Sequence, residues 1–160
     1  MANQHGQTER EIKTRGELKE RKPLAYAKII RHPEKIANKE SVALIQLQCD
    51  YRCNFKCKHC AIERFKQRGG RSLAIADIER IADQADAMGL ASICISGGEP
   101  LIFPNLKDIV DAIGPERFVI SMDTNGSRLD VLQILGIQDL ILGILERAGR
   151  LRIDHADVLI

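Results

Sequence analysis

Three short apolar runs, each ending in a polar loop and separated from the next by a helical repeat, set the narrowest limit on what this chain can fold into. The runs are Val42–Gln48 (VALIQLQ), Leu90–Ser96 (LASICIS) and Arg117–Met122 (RFVISM). Each has the length of a buried strand and is bounded by turn-forming residues. Ahead of the second run, Ile78, Ile81, Ala82, Ala85 and Met88 recur at spacings of three and four, with Gly89 where a helix would stop. Ahead of the third, Leu106, Ile109, Val110 and Ile113 do the same before Gly114 and Pro115. Strand–helix alternation of this kind predicts an α/β fold with a parallel sheet and helical crossovers. Parallel strands deliver their C-terminal loops to one rim, so Cys53–Cys60, Gly97–Pro100 and Asp123–Gly126 should converge.

The flanks are less regular. Residues 1–22 are almost all polar, with Gly6 and Gly16 interrupting helical pattern, and read as a mobile arm; Leu24–Ile36 suits a short helix and a turn. Beyond Asp130 the run Leu140–Leu145 fits either a helix or a fourth buried strand. The chain finishes on apolar Val158, Leu159 and Ile160. An apolar finish and an unpaired sheet edge predict an aggregation-prone isolated protein, an oligomer, or a missing C-terminal partner.

Composition removes several function classes. At 160 residues the chain has room for one domain, and 44% hydrophobic with 29% charged residues describes a chain that folds around a core. Aromatics are 4% and Trp is absent, so that core is aliphatic and no stacking platform for nucleic acid is expected. A net charge of +2 demands no polyanionic partner. No apolar run approaches the ~20 residues that span a bilayer, and the N-terminus lacks the apolar centre of a signal peptide, so a cytoplasmic location away from membranes is expected. In that reducing setting five Cys are free, metal-bound or catalytic.

Three of the five lie in Cys53-Asn-Phe-Lys-Cys57-Lys-His-Cys60, a C-x3-C-x2-C loop leaving the first strand. Soft thiolates select iron–sulfur clusters, zinc or copper(I). A four-iron cluster normally takes four thiolates, so three leave one iron open to an exchangeable ligand. A zinc site is the other reading, with Cys49 or His59 as fourth ligand, although structural zinc usually draws paired ligands from two separated segments. Cys49 and Cys94 lie in or beside apolar strands and read as small buried core thiols. Gly97 and Gly98 allow a sharp turn and close approach to a ligand, Glu99 adds a carboxylate and Pro100 stiffens the exit.

Together, the C-x3-C-x2-C loop after a first strand and SGGEP ending a second resemble the radical S-adenosylmethionine superfamily over roughly residues 41–126. The resemblance implies a partial, TIM-like half barrel over residues 41–160, preceded over residues 1–40 by the polar arm and short helix. It implies two cofactors, a 4Fe-4S cluster on Cys53, Cys57 and Cys60 and S-adenosylmethionine held partly by Gly97, Gly98 and Glu99. Phe55 and His59, between the ligands, and Asn125, in the turn Asp123-Thr-Asn-Gly126, are further cofactor contacts by resemblance. The implied activity is reductive cleavage of the cofactor to a 5'-deoxyadenosyl radical that abstracts hydrogen from a substrate, an oxidoreductase or transferase type of enzyme fed by an external low-potential electron donor. No residue of the chain is assigned as an acid, base or nucleophile. A peptide or small-molecule substrate is favoured, in peptide modification or cofactor maturation.

The chain departs from the family pattern in two respects. The barrel has six strand–helix units, of which three or four are visible here. On the stretch Ile137–Glu146, relatives carry a Ser-Leu-Asp type motif where this chain has Gly143, Ile144, Leu145 and Glu146; the same stretch partly fits a G-x-I-x-G-x-x-E pattern with Asp139 in the first Gly position. These departures motivate the alternative of a truncated, non-catalytic iron–sulfur or zinc-binding fragment. Seven basic residues between Arg52 and Arg71 against the single acid Glu63 read as a solvated loop.

Overall fold

A computed structural model describes residues 9–58, 60–66 and 72–135. In chain order the elements are α1 (Glu9–Arg21), α2 (Pro23–Ile29), α3 (His32–Ala37), β1 (Ile45–Asp50), α4 (Glu63–Lys66), α5 (Ile75–Ala87), β2 (Ser92–Gly97), a 3-10 turn (Pro100–Ile102), α6 (Leu106–Ile113), β3 (Val119–Met122) and α7 (Asp130–Ile134). The three strands pair in parallel in the order β1-β2-β3, with α5 and α6 as the crossovers. This is the α/β alternation the sequence predicts, and a partial form of the barrel that the resemblance implies.

The two faces of the sheet differ because side chains alternate along a strand. Leu47, Ile93, Ile95 and Ile120 enter a core completed by Ile78, Ala82 and Ala85 of α5 and Ile109, Val110 and Ile113 of α6. Each buried Leu, Ile or Val among them contributes on the order of 1.5–3 kcal/mol relative to exposure. The intervening positions include Gln46 and Gln48 on β1, Ser92, Cys94 and Ser96 on β2, and Val119 and Ser121 on β3. At the end of that face, Gln46 Nε2 donates to Asp123 Oδ2 at 2.6 Å, across the central strand.

Residues 9–21 correct the expectation of an arm that Gly16 would keep from forming helix, while α2 and α3 fall where a short helix and a turn are expected. Helix α1 runs through Gly16, where an added side chain would meet nothing within 4 Å. The glycine therefore costs about 1 kcal/mol of helix propensity and nothing in packing. Lysines then tie this region to the sheet. Lys22 Nζ donates to the Phe118 carbonyl at 3.0 Å and Lys28 Nζ to that of Arg117 at 2.9 Å. Lys28 also pairs with Asp86 at 2.5 Å and lies 4.1 Å from the centroid of the Phe118 ring. Lys35 Nζ donates to the Met88 carbonyl at 2.5 Å, placing a cation at the negative end of α5. Those carbonyls precede β2 and β3, so the helices dock at the N-terminal end of the sheet. A cavity of about 370 Å³ there is lined in part by Lys28, Arg31, Lys35 and Glu40.

Helix α4 and the 3-10 turn form in segments that the sequence marks only as loop, and α7 forms where it gives no assignment. The stretch 137–146, read as either a helix or a fourth strand, lies outside the described residues. Among the described residues, no helix is long and apolar enough to cross a membrane.

Candidate functional site

The cysteine loop leaves β1 through Asp50, and that residue closes its base. An irregularity in the β1–β2 register between Gln48 and Asp50 sets Asp50 opposite Gly97. Its buried carboxylate accepts from the Arg52 backbone N–H (2.7 Å), from Arg52 Nε and Nη2 (2.9 and 2.6 Å) and from the Ser72 hydroxyl (2.6 Å). Leu73 N–H donates to the Cys49 carbonyl at 2.9 Å, so the outgoing and returning strands of the loop are tied at adjacent residues. Burial by itself would raise the Asp50 pKa, but the hydrogen bonds from Arg52 and Ser72 outweigh it and hold the carboxyl at about 2.

The double glycine fits against this base. Gly98 N–H donates to the Asp50 carbonyl (2.9 Å) and Glu99 N–H to that of Arg52 (2.8 Å). A Cβ on Gly97, whose φ is +127°, would lie 2.1 Å from the Asp50 carbonyl oxygen, and one on Gly98 would lie 1.9 Å from that of Arg52. Close approach is therefore required here, and the partner is the chain's own backbone.

Glu99 is completely buried. Its Oε1 accepts from Leu101 N–H (2.9 Å) and the Thr124 hydroxyl (2.7 Å), and its Oε2 from Asn125 N–H (2.6 Å). A carboxylate has about four lone-pair sites. Three of those sites are filled, and among the described residues no second donor reaches Oε2. Asn125, read as a cofactor contact, has its side chain engaged within the protein: Nδ2 donates to Asn54 Oδ1 at 3.0 Å, and Oδ1 accepts from Ser127 N–H at 3.0 Å. The three loops do meet at one rim, as the strand directions require.

Cys53, Cys57 and Cys60 are free thiols, each half-buried on this loop. Phe55 N–H donates to Cys53 Sγ at 3.4 Å, and Cys60 N–H to the Cys57 carbonyl at 3.2 Å, just before α4. The Phe55 ring is 42% exposed. His59 lies outside the described residues. Cys49, by contrast, is 1% exposed and donates to the Leu47 carbonyl at 3.7 Å; burial, with the Asp50 charge adding to it, pushes its thiol up to about 11. Burial likewise raises the Cys94 pKa. These two are buried thiols, which leaves three partly exposed cysteines. Three soft donors without Cys49 suit a cluster with an open iron better than a four-thiolate zinc site. Among the described residues, no three His, Cys, Asp or Glu side chains are grouped as a single-ion site requires.

Asp50, Ser72 and Asn54 are the residues of the candidate site that sequence reasoning missed. The readable signal for Asp50 was its place at the buried end of a strand, where a carboxylate needs donors.

The family model for the radical SAM superfamily matches residues 49–156, about two-thirds of the chain. A probable GTP 3',8-cyclase of Thermococcus kodakarensis is 32% identical over 91 residues, covering 57% of this chain and 30% of the relative. One from Methanothermobacter thermautotrophicus is 37% identical over 90 residues, covering 56% and 29%. The antilisterial bacteriocin subtilosin biosynthesis protein AlbA of Bacillus subtilis is 32% identical over 98 residues, covering 59% and 22%. The match thus spans less than a third of the length of these curated relatives. No solved structure matches the chain significantly.

Proposed function

Because the chain belongs to the radical SAM superfamily, we propose that it binds a 4Fe-4S cluster through Cys53, Cys57 and Cys60 and cleaves S-adenosylmethionine reductively. When bound, the cluster would supply the electron that breaks the sulfonium bond, drawn from an external low-potential donor. The observation that carries this reading is the set of three free, half-buried thiols on a loop pinned directly beside buried Glu99. The chain's own part is positional: Asp50 and the double glycine fix the loop base, and Glu99 offers its remaining lone pair to the ammonium of the amino-acid moiety. Orientation of this kind removes most of the entropic barrier to a reaction between bound groups.

The substrate proposed is a peptide or a small molecule. AlbA takes its name from the making of a bacteriocin and the cyclases take theirs from GTP, so both classes occur among the relatives. The test is electron paramagnetic resonance on anaerobically reconstituted, dithionite-reduced protein with and without S-adenosylmethionine, together with assay of 5'-deoxyadenosine. A reduced four-iron spectrum that changes with cofactor, and release of 5'-deoxyadenosine, are expected. A spectrum blind to cofactor, or no iron uptake, would replace this reading with that of a non-catalytic binding fragment.

A further inference from the structure

Asn54 stands between the first cluster cysteine and Phe55, and its carboxamide reaches far across the chain. Its Oδ1 accepts from Asn125 Nδ2 at 3.0 Å and its Nδ2 donates to the Ser127 hydroxyl at 2.8 Å, contacts spanning 71 and 73 residues of sequence. Asn125 is itself held by Glu99 Oε2 through its backbone N–H at 2.6 Å, and Thr124 by Glu99 Oε1 at 2.7 Å. A continuous path therefore runs from the Glu99 carboxylate through Asn125 and Asn54 to Cys53. Resting on the reading that Cys53, Cys57 and Cys60 hold the cluster, we propose that Asn54 is a positioning residue whose clasp on the turn after β3 sets the cysteine loop relative to Glu99.

The geometry favours this role over a packing one. Asn54 is exposed, so its side chain fills no core space. A short side chain with two hydrogen-bonding atoms at its tip reaches both partners without moving the backbone, because the Ser127 hydroxyl can accept from an amide or donate to a carboxylate. Holding residue 54 also holds the next N–H, that of Phe55, on Cys53 Sγ at 3.4 Å. Such N–H to sulfur bonds, along with the orientation of the ligands, are among the levers by which a protein tunes a cluster.

The test compares the full chain with Asn54→Ala, Asn125→Ala, the double variant and Asn54→Asp. The Asp side chain keeps acceptors for both Asn125 Nδ2 and the Ser127 hydroxyl. Without iron, amide exchange across residues 53–58 should quicken roughly five- to ten-fold in either single Ala variant, the effect of losing about one to two net hydrogen bonds. The double variant should be no faster than the singles, and Asn54→Asp should restore the slow rate. With cluster reconstituted, Asn54→Ala should keep its iron but lose the spectral change on adding S-adenosylmethionine, and Asn54→Asp should recover it. Unchanged exchange, or additive effects in the double variant, would overturn the clasp. Altered exchange with an intact cofactor response would overturn the positioning role. If the parent chain takes up no cluster, the proposed function fails while the exchange comparison still decides the clasp.

Discussion

Removing the charge at Asp50 should loosen the base of the cysteine loop by an amount readable from the structure. The carboxylate is 8% exposed and receives four donor contacts, three of them from Arg52. Its pKa is held at about 2, against 3.8 for the free group. At ~1.4 kcal/mol per pKa unit, the gap corresponds to about 2 kcal/mol of folding free energy. A depressed folded-state pKa gives stability that is present in full above the unfolded pKa and is lost as pH falls through the folded one. The contribution is therefore complete near neutral pH and disappears between pH ~4 and ~2. Urea unfolding of the parent chain and Asp50→Asn across that range is the assay. Near neutral pH the variant should be less stable by about 2 kcal/mol, and the two curves should draw together as pH falls. Arg52 is 55% exposed, so added salt should narrow the neutral-pH difference. A neutral-pH difference that persists unchanged into acid would refute the argument, because the cost would then come from shape and not from charge.

The cysteines should divide into two groups: substitution of Cys53, Cys57 or Cys60 by Ala should abolish iron uptake on reconstitution, whereas Cys49→Ala and Cys94→Ala should keep it, as measured by iron and sulfide content. In Gly98→Ala the new methyl would lie 1.9 Å from the Arg52 carbonyl oxygen, so the tie between β2 and the loop base must break; a loss of more than about 2 kcal/mol in denaturant unfolding is expected. Lys22 has its pKa lowered to about 8, mainly by burial and next by the Arg21 charge. A buried ammonium whose folded-state pKa lies below its unfolded value costs stability while charged. The parent chain should therefore gain stability relative to Lys22→Met as pH rises from ~8 to ~10.5, a trend thermal unfolding would reveal.

The sequence by itself determined the α/β alternation and its rim of loops, because both depend on the period of apolar residues within one segment. Helix α6 falls on Leu106–Ile113, the residues its spacing indicates, and the strands differ from the apolar runs by only a few residues at each end. The three cysteines of the loop and the buried pair were likewise separable from their local surroundings. Only the tertiary structure decided which groups those loops present to each other. Asp50 meets Ser72 across 22 residues, Glu99 meets Asn125 across 26, Asn54 meets Asn125 across 71, and Lys22 meets Phe118 across 96. In each case a polar side chain finds a donor or acceptor that chain folding brings near; the sequence motifs single out Glu99 and Asn125, and a strand end marks Asp50, but none of them shows which distant group each meets. The same cause bears on the segment read as an arm: its polar pattern with a central glycine gives no sign that Lys22, just after α1, meets the Phe118 carbonyl at the foot of the sheet.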